Sequence, residues 1–301
     1  MQFEGTGESG RSDLLRGIFP VVYTPFDTKG RIDDEDLAQL VAYLLEAGAH
    51  GLAAVGGASE SHKMPVEERK WLAARTIDLV RGRVPVVVGT SGTNTAEAVD
   101  LSRHAAEVGA TSVFLTPPLF GAVTPDALHH HYGAVANASE IPVMVQDALI
   151  SVPPTQTVRL AEAFPTIRYC KEEAIGDTGH RISELKRLQP ELGIFSGGKH
   201  LLDELARGAI GAIPGSIGVA DLCRAYDSFV EGDEEGARAA FDHFTPLSFW
   251  SSQFPILSAK EVLRRLGIFK TAQMREPAGI FLDADDHKEL SAIMEQMGAS
   301  Y

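Results

Sequence analysis

The chain has little positive charge, little cysteine and no long apolar run, and each shortage excludes a class of protein. Its 27 lysines and arginines stand against 41 aspartates and glutamates, a formal net charge of −14. This argues against nucleic acids and membranes as partners, because a polyanion or an anionic bilayer requires a basic face. Two cysteines, Cys170 and Cys223, are too few for a disulfide framework and are typical of a reducing cytoplasm. No apolar run approaches the roughly 20 residues that span a bilayer. We expect a soluble cytoplasmic protein, and the net charge does not exclude small anionic substrates, because the local field of a pocket can oppose it.

The chain opens on MQFEGTGESGRSDLLRG, residues 1–17, which lacks the basic start and the apolar core of a secretory signal. Its glycine, serine and charge content is typical of disordered segments. We expect residues 1–15 to form a disordered tail, residues 16–233 a catalytic domain and residues 234–301 a helical extension.

Short apolar runs alternate with helical patterns along most of the chain. Eight runs are predicted to be strands, and they begin at Gly17, Gly51, Val84, Ser112, Pro142, Ile167, Gly193 and Gly211. Most are almost continuously apolar, as expected for strands that are covered on both faces of a parallel sheet. Between them lie amphipathic helices such as DDEDLAQLVAYLLEAGA, with acids in its first turn. Eight strand–helix units in about 215 residues predict a (β/α)8 TIM barrel, which typically takes about 250.

A doubly wound open sheet is the structural alternative, and two observations argue against it. The chain has no glycine fingerprint after its first strand, and its strand–helix units number eight. Beyond Asp233 the pattern is helical only, in EEGARAAFDHFTPL, SAKEVLRRLGI and DHKELSAIMEQMG. The predicted fold class is therefore α/β, a (β/α)8 barrel with a C-terminal helical extension.

Lys171 is the strongest candidate for a reactive group because it ends the sixth strand. Chemistry in these barrels lies at the carboxyl ends of the strands, and IRYCKEEAIGD passes from apolar to acidic at this lysine. Because side chains alternate along a strand, Tyr169, Lys171 and Glu173 share one direction. An amine with apolar neighbours loses hydration and becomes nucleophilic, so it can condense with a ketone to form a Schiff base. The alternative is a solvated lysine that pairs with Glu172 or Glu173.

The sequence resembles the dihydrodipicolinate synthase / N-acetylneuraminate lyase superfamily from about Gly17 to the C-terminus. The resemblance rests on GIFPVVYTPFDTKGRID, RVPVVVGTSGTNTAEAV, FSGGKHLLDELARGAIGAIPGSIGVA and AKEVLRRLGI. It implies a (β/α)8 barrel with C-terminal helices, assembled as a homotetramer or a dimer of dimers. It implies no metal and no organic cofactor, because the strand-six lysine, matched by Lys171, forms a covalent Schiff base with a 2-oxo acid.

Two departures separate the chain from the lysine-biosynthetic synthases of this family. The turn after the second strand, usually Gly-Thr-Thr-Gly-Glu, is GGASES here, so Gly57 and Ala58 stand at the usual hydroxyl positions while Ser59 and Glu60 remain. Gln146 replaces the tyrosine that relays protons after the fifth strand, and TPPLFGAVTP lacks the second relay tyrosine. Glutamine exchanges no proton near neutral pH, although it donates and accepts hydrogen bonds.

A subgroup of the family fits better, namely the dehydratases of 2-keto-3-deoxy sugar acids such as 2-keto-3-deoxy-arabonate. The similarity lies in VMVQDA, which contains Gln146, and in CKEEA, which contains Lys171 and Glu173. Dehydration requires loss of a C3 proton made acidic by the iminium, and departure of the C4 hydroxyl. Glu173 is the candidate base or acid for these steps, and its alternative role is a salt bridge that holds the loop. Leu119 and Leu149 stand where a ring-bearing residue and a proline are commoner.

The remaining candidate contacts of the substrate lie at other strand ends. We predict substrate binding by Gly57, Ala58, Ser59, Asp147, Gly197 and Ile213, with Thr90 as a further candidate. Glycines such as Gly197 let backbone amides approach a carboxylate, and the family residue that matches Ile213 lines the 2-oxo acid site through its backbone. The alternative for Asp147 is a helix N-cap or a loop pair. Glu60 is expected to order its own turn by accepting backbone N–H bonds.

Three consecutive histidines, His129, His130 and His131, do not predict a metal site. Neighbouring side chains on a helix point about 100° apart, so they cannot converge on one ion. We expect a solvated helix face here.

Taken together, these residues predict a Schiff-base-forming lyase that dehydrates a 2-keto-3-deoxy sugar acid, with Lys171 as nucleophile, Glu173 as acid or base and Gln146 orienting the substrate. One alternative is a pyruvate-dependent aldolase of the same family, dihydrodipicolinate synthase-like or N-acetylneuraminate lyase-like. The other is a non-catalytic 2-oxo-acid-binding protein that has lost turnover.

Overall fold

The computed structural model describes residues 14–118, 124–148, 150–174 and 176–298. Its strands are β1 Gly17–Ile18, β2 Leu52–Ala54, β3 Val86–Gly89, β4 Ser112–Leu115, β5 Val143–Asp147, β6 Ile167–Glu172, β7 Gly193–Ser196 and β8 Gly211–Ala212. The helices that follow them are α1 Asp34–Glu46, α2 Val66–Val80, α3 Thr95–Glu107, α4 Pro125–Ala138, α5 Pro154–Ala163, α6 Thr178–Leu188, α7 Leu201–Ala206 and α8 Val219–Glu231. Three further helices come after them, α9 Glu234–Ser251, α10 Leu257–Arg265 and α11 Ala284–Gln296.

The eight strands form one parallel sheet that closes on itself. Hydrogen-bonded neighbours follow the order β1-β8-β7-β6-β5-β4-β3-β2. Just beyond β1, Val21 pairs with Ala53 of β2, and Val22 N donates to Ala53 O at 2.8 Å. The predicted (β/α)8 barrel is confirmed, and the open doubly wound sheet is excluded because both edge strands are joined.

Strand alternation divides the core into two layers. Inside the barrel lies one apolar cluster, formed by Phe19, Val21, Ala53, Val87, Phe114, Met144, Tyr169, Phe195, Ile210 and Ile213. Between the sheet and the helices lies a larger cluster, to which the intervening residues Ile18, Val145 and Cys170 belong. Strands buried on both faces explain why the sequence shows continuous apolar runs rather than alternation.

Capping residues mark the starts of α1 and α3, and a glycine follows the end of α3. Asp33 caps α1 by accepting from Glu35 N and Asp36 N, and Asn94 caps α3 by accepting from Glu97 N. After α3, Gly109 has a φ of +95°, the left-handed conformation that lets the chain turn into β4.

The C-terminal extension folds back onto the start of the barrel. Thr271 Oγ1, in the segment after α10, donates to Phe26 O at 2.7 Å, and Lys270 N donates to Asp36 Oδ2 at 2.7 Å. This segment therefore covers the β1–α1 loop at the carboxyl end of the strands, next to the predicted site.

Two expectations from the sequence are wrong in part. Leu14 and Leu15, assigned to the disordered tail, pack against the inner cluster, and Leu15 N donates to Tyr169 Oη at 3.0 Å. His131 is buried against α3, with its Nδ1 3.0 Å from Thr95 Oγ1, and burial lowers its pKa, so the solvated face does not include it.

Some expectations concern residues that the structure does not describe. These are residues 1–13 of the tail, Leu119 and Leu149. Among the described residues, no helix combines the length and the apolar content needed to cross a membrane.

Candidate active site

Lys171 lies at the carboxyl end of β6 and faces the barrel interior. It is two residues beyond Tyr169, a member of the inner cluster, and it pairs in register with Gln146 on β5 and Phe195 on β7. Only 4% of Lys171 is exposed. The alternative of a solvated surface lysine therefore does not describe this residue, although the expected pair with Glu173 is present.

Glu173 links Lys171 to Gln146. Its Oε2 lies 2.7 Å from Lys171 Nζ and accepts a 2.9 Å hydrogen bond from Gln146 Nε2. Glu173 N donates to Asp147 O at 2.9 Å, which extends the β5–β6 ladder by one residue and keeps Glu173 on the same face as Lys171. The Glu173 side chain is 27% exposed, so this carboxylate lies between the buried amine and the solvent-accessible mouth of the barrel.

Gly197, after β7, sits directly behind the Glu173 carboxylate. A Cβ added at this glycine would lie 3.0 Å from Glu173 Oε1. A side chain at this position would therefore crowd the Glu173 carboxylate where it contacts Lys171. This is a different reason for glycine from the backbone–carboxylate approach that the sequence suggested.

Asp147 is not brought to the Lys171 cluster. It follows Gln146 on β5, so alternation turns its side chain to the opposite face of the sheet, where it is fully buried. There it forms an ion pair with Arg181 of α6, which also donates to Glu172 Oε1 at 3.0 Å and to Val152 O at 2.8 Å. The predicted substrate contact of Asp147 is thus corrected to the loop pair that was its alternative.

Asp147 and Glu172, on the helix-facing side of the sheet, both pair with Arg181. One positive charge therefore only partly compensates two negative charges. Burial raises the pKa of Glu172 to about 7, against the opposing effect of the Arg181 hydrogen bond. Burial also raises the pKa of Asp147, again opposed by Arg181. Within the described residues, Asp147 Oδ1 and Glu172 Oε2 are buried without a hydrogen-bond partner. Burial, which disfavours the charged form of a carboxyl group, is the main cause of both raised pKa values.

The turn after β2 caps the inner cluster at the carboxyl end of the barrel. Gly57–Ser59 forms a single 3-10 turn, in which Gly57 is exposed and Ala58 packs against both core clusters. The Ser59 hydroxyl is buried, donates to Val22 O at 2.6 Å and accepts from Gly56 N at 3.1 Å. Ser59 therefore holds the turn to β1, and the expectation that its hydroxyl binds substrate is corrected.

Two other residues predicted to contact the substrate, Ile213 and Thr90, lie on opposite sides of the sheet. Ile213, after β8, is buried in the inner cluster, and its N–H donates to Ser196 O at 2.8 Å. Thr90 is buried behind β3, where its Oγ1 accepts from Ser102 Oγ of α3 at 2.9 Å. Thr90 thus faces the helix layer and not the Lys171 cluster.

Glu60 ends the turn and binds the C-terminal extension, a contact that the sequence analysis missed. It is fully buried, with a φ of +58°, and its Oε1 accepts from Lys260 Nζ of α10 at 2.5 Å. Its Oε2 accepts from Lys63 Nζ at 3.0 Å and from Arg275 N at 3.1 Å. Glu60 accepts one backbone N–H, from Arg275 in the segment after α10, so it does not order its own turn alone. The signal that the sequence offered for this contact was Lys260, a charged residue within the apolar pattern of α10.

The arrangement can support chemistry at a carbonyl carbon. A buried primary amine lies beside a carboxylate that can accept its proton, and the resulting free amine is a nucleophile. The carboxylate then remains within reach of a proton on the atom next to the carbon attacked. Among the described residues, no group of His, Cys, Asp or Glu side chains is arranged to hold a metal ion.

Comparisons with known proteins agree with this geometry. The Dihydrodipicolinate synthetase family matches residues 14–297 of the chain. The L-2-keto-3-deoxyarabonate dehydratase of Azospirillum brasilense is 33% identical over 294 residues, covering 94% of each protein. The 4-hydroxy-tetrahydrodipicolinate synthase of Pseudomonas aeruginosa PAO1 is 31% identical over 305 residues, covering 95% of this chain and 99% of the synthase.

The solved structures give the same family. YagE, a prophage protein of the dihydrodipicolinic acid synthase family from E. coli K12, solved in complex with pyruvate, superposes with a TM-score of 0.88. It is 26% identical and the match covers 94% of this chain and 99% of YagE.

Proposed function

The chain belongs to the dihydrodipicolinate synthetase family, and from this premise we propose that it dehydrates a 2-keto-3-deoxy sugar acid through a Schiff base on Lys171. Membership makes it a lyase of the class I, Schiff-base type. The observation that carries the finer assignment is the contact of Glu173 Oε2 with both Lys171 Nζ, at 2.7 Å, and Gln146 Nε2, at 2.9 Å.

The first half of the reaction attaches the substrate to Lys171. Glu173 accepts a proton from the Lys171 ammonium, and the free amine attacks C2 of the 2-oxo acid. The carbinolamine that forms loses its hydroxyl as water, with the proton returned by Glu173, and leaves an iminium ion. The low exposure of Lys171, 4%, favours this step because the amine is only weakly hydrated.

The second half removes the C4 hydroxyl. The iminium makes the C3 protons acidic, Glu173 accepts one of them, and the electrons of the C3–H bond form an enamine. The enamine expels the C4 hydroxyl, which leaves as water with the proton held by Glu173, and a conjugated iminium remains. Water then hydrolyses the iminium, which releases the unsaturated 2-oxo acid and returns Lys171 to its ammonium form and Glu173 to its carboxylate.

Gln146 supports dehydration over carbon–carbon cleavage. A retro-aldol step needs a base for the C4 hydroxyl, and glutamine cannot remove a proton near neutral pH. Gln146 instead donates to Glu173 and orients it toward Lys171 and the substrate. The similarity to the dehydratase of A. brasilense supports the same assignment.

An aldolase of the same family is the second candidate, and the similarity to the synthase of P. aeruginosa favours it. Incubation with 2-keto-3-deoxy acids separates the two, because a dehydratase releases a product with an intact carbon chain that has lost water, whereas an aldolase releases pyruvate and an aldehyde. Formation of pyruvate would overturn the dehydratase assignment.

Lys171 is tested directly by borohydride reduction in the presence of pyruvate, followed by peptide mass mapping. We expect one reduced adduct, on the peptide that contains Lys171, and none in a Lys171→Ala variant. An adduct on another lysine, or no adduct at all, would overturn the Schiff-base mechanism for this chain.

The further binding assignments are part of the same proposal. Gly57, Ala58, Gly197 and Ile213 line the substrate's carboxylate end, with no metal or organic cofactor. The family supports assembly as a homotetramer or a dimer of dimers, and the acidic composition and scarce cysteine support a cytoplasmic location.

A further inference from the structure

Lys260 is a fully buried cation in a helix outside the barrel. It is 0% exposed, and its ammonium donates to Glu60 Oε1 at 2.5 Å and to Gln273 O at 2.9 Å, while it lies 4.4 Å from the centroid of the Phe26 ring. Complete burial of a charged group is costly unless the group is paired and hydrogen-bonded. Its counter-ion, Glu60, belongs to the β2 turn rather than to the extension.

Glu60 is held in a backbone conformation that few side chains adopt. Its φ is +58°, and Val55, on the other side of the turn, has a φ of +60°, which is unfavourable for a β-branched residue. Such conformations persist when surrounding contacts determine them. For Glu60, these contacts include backbone bonds to Gly57 O and from Lys63 N, both at 2.9 Å. They also include the side-chain bonds to Lys260, Lys63 and Arg275 N.

The same turn carries the positions proposed to bind the substrate. Gly57 and Ala58 lie between Val55 and Glu60, and Ala58 contacts the inner cluster of the barrel. Within the described residues, the N–H groups of Gly57 and Ala58 donate to no other protein group. A shift of Glu60 would therefore move these backbone groups directly.

We infer that Lys260 is a positioning residue, through which the C-terminal extension fixes the Gly57–Ser59 turn and thereby sets the affinity of the site for the carboxylate of a 2-oxo acid. The inference rests on the proposed function. Lys260 itself does not touch the substrate. It acts through Glu60, and its absence changes binding while Lys171 and Glu173 stay in place.

Pyruvate is the probe, and borohydride trapping on Lys171 is the readout. In Lys260→Met we expect the pyruvate concentration that gives half-maximal trapping to rise by roughly tenfold, about the effect of losing one good hydrogen bond to a carboxylate. The maximal trapping rate should stay within about twofold of the wild-type rate, because the amine is unchanged. A purely structural role would lower thermal stability and leave the half-saturation concentration where it is, and this result would overturn the inference.

Lys270→Met is the matched control. Lys270 also belongs to the extension and pairs with acids of the barrel, Asp33 and Glu35, at the start of α1 rather than at the turn. Its removal should leave half-saturation unchanged. An equal rise in both variants would indicate general loosening of the extension and would contradict the specific role of Lys260.

A second variant keeps the test valid where Lys260→Met alone fails to fold. Glu60→Gln/Lys260→Met removes both members of the buried ion pair, so no carboxylate is left facing the apolar side chain that replaces Lys260. The same rise in half-saturation is expected of this double variant. Wild-type half-saturation in this folded double variant would overturn the inference. The outcomes separate the two proposals. If the wild type forms no Lys171 adduct, both the Schiff-base mechanism and the role of Lys260 are overturned. If the wild type is trapped normally and the variants show unchanged half-saturation, only the role of Lys260 is overturned.

Discussion

Neighbouring residues of β6 have opposite roles because alternate side chains face opposite sides of the sheet. Lys171 and Glu173 face the barrel interior, where the carboxylate lies 2.7 Å from the amine. Glu172, between them, faces α6 and pairs with Arg181. Two adjacent glutamates in one short motif can therefore be separated experimentally, since one contacts Lys171 inside the barrel and the other contacts Arg181 behind the sheet.

Glu173→Gln tests the proposed acid–base role. The amide keeps the size of the side chain but cannot exchange protons, so kcat for dehydration should fall by about 10²- to 10⁴-fold. Pyruvate should still be trapped on Lys171, but more slowly than in the wild type, because Glu173 no longer accepts the ammonium proton. The matched control is Glu172→Gln, which should retain turnover within about threefold at neutral pH because this side chain faces the helix layer. Equal losses in the two variants, or a normal rate in Glu173→Gln, would contradict the assignment.

Glu172 should make stability depend on pH. Burial raises the pKa of Glu172 from its ordinary value of 4.5 to about 7. Between these values the folded chain holds a proton that the unfolded chain has released, so the contribution of Glu172 to stability falls as pH rises and is lost above about pH 7. The free energy of unfolding of Glu172→Gln relative to the wild type should therefore increase between pH 5 and pH 8, by on the order of 2 kcal/mol. Urea midpoints at four pH values measure this, and parallel curves would show that the pKa of Glu172 is not raised.

For individual residues, the sequence predicted the direction of a side chain where the alternation along a strand was enough to decide it. Lys171 was identified because it ends a recognisable strand, whereas Gln146 was identified through the family resemblance, and the barrel brings both to one mouth. Asp147 and Thr90 were assigned to the site because they too follow strands, yet both face the helices. A strand end that is uncertain by one residue reverses the predicted face, so which of two adjacent polar residues faces inward could not be predicted from composition.

At the scale of elements, Arg181 joins α6 to two strands. It pairs with Asp147 at the end of β5 and with Glu172 at the end of β6, and these acids are register partners. The residues one position earlier, Gln146 and Lys171, are also register partners. This clamp, formed by Arg181 with Asp147 and Glu172 on the helix-facing side of the sheet, therefore holds together the ends of β5 and β6. The same strand ends carry Gln146 and Lys171 on the inner side.

Removal of this clamp should be costly to the fold. Arg181→Met leaves two buried carboxylates without a cation, and we expect the free energy of unfolding at pH 8 to fall by about 3–5 kcal/mol. Glu172→Gln in the same chain should restore part of that loss because one carboxylate is removed. Chemical denaturation of the wild type, the two single variants and the double variant gives the coupling directly. Strictly additive losses would mean that Arg181 and Glu172 do not interact energetically.

The elements themselves were largely predictable, whereas their long-range contacts were not. Eight strands and the helices between them follow from local apolar patterns and caps such as Asp33 and Asn94. The bond between Glu60 and Lys260 joins residues 200 positions apart, and no local pattern connects them. The sequence therefore predicted that a turn follows β2 but not that the extension holds it.

At the scale of the whole molecule, surface charge is unevenly distributed. The chain carries a formal net charge of −14, yet Phe244 to Ala259 contains no charged residue. Trp250 and Leu247 in this segment are buried in the larger core cluster, whereas Phe249 is 76% exposed. Interface cores are depleted of charge and enriched in aromatic residues, so this charge-free surface is where we expect another copy of the chain to pack.

Phe249→Asp should therefore weaken assembly. A carboxylate in an apolar contact between copies loses hydration without a partner, and we expect light scattering to show a mass well below that of the wild type at the same protein concentration. Val230→Asp is the control, because Val230 is 65% exposed but stands beside Glu231 and Asp233, and its change should leave the mass unaltered. An unchanged mass in Phe249→Asp would place the interface elsewhere, and dissociation of both variants would indicate repulsion by added negative charge rather than a contact at Phe249. Far-ultraviolet circular dichroism of each variant separates loss of assembly from loss of fold, since the barrel buries its core within one chain.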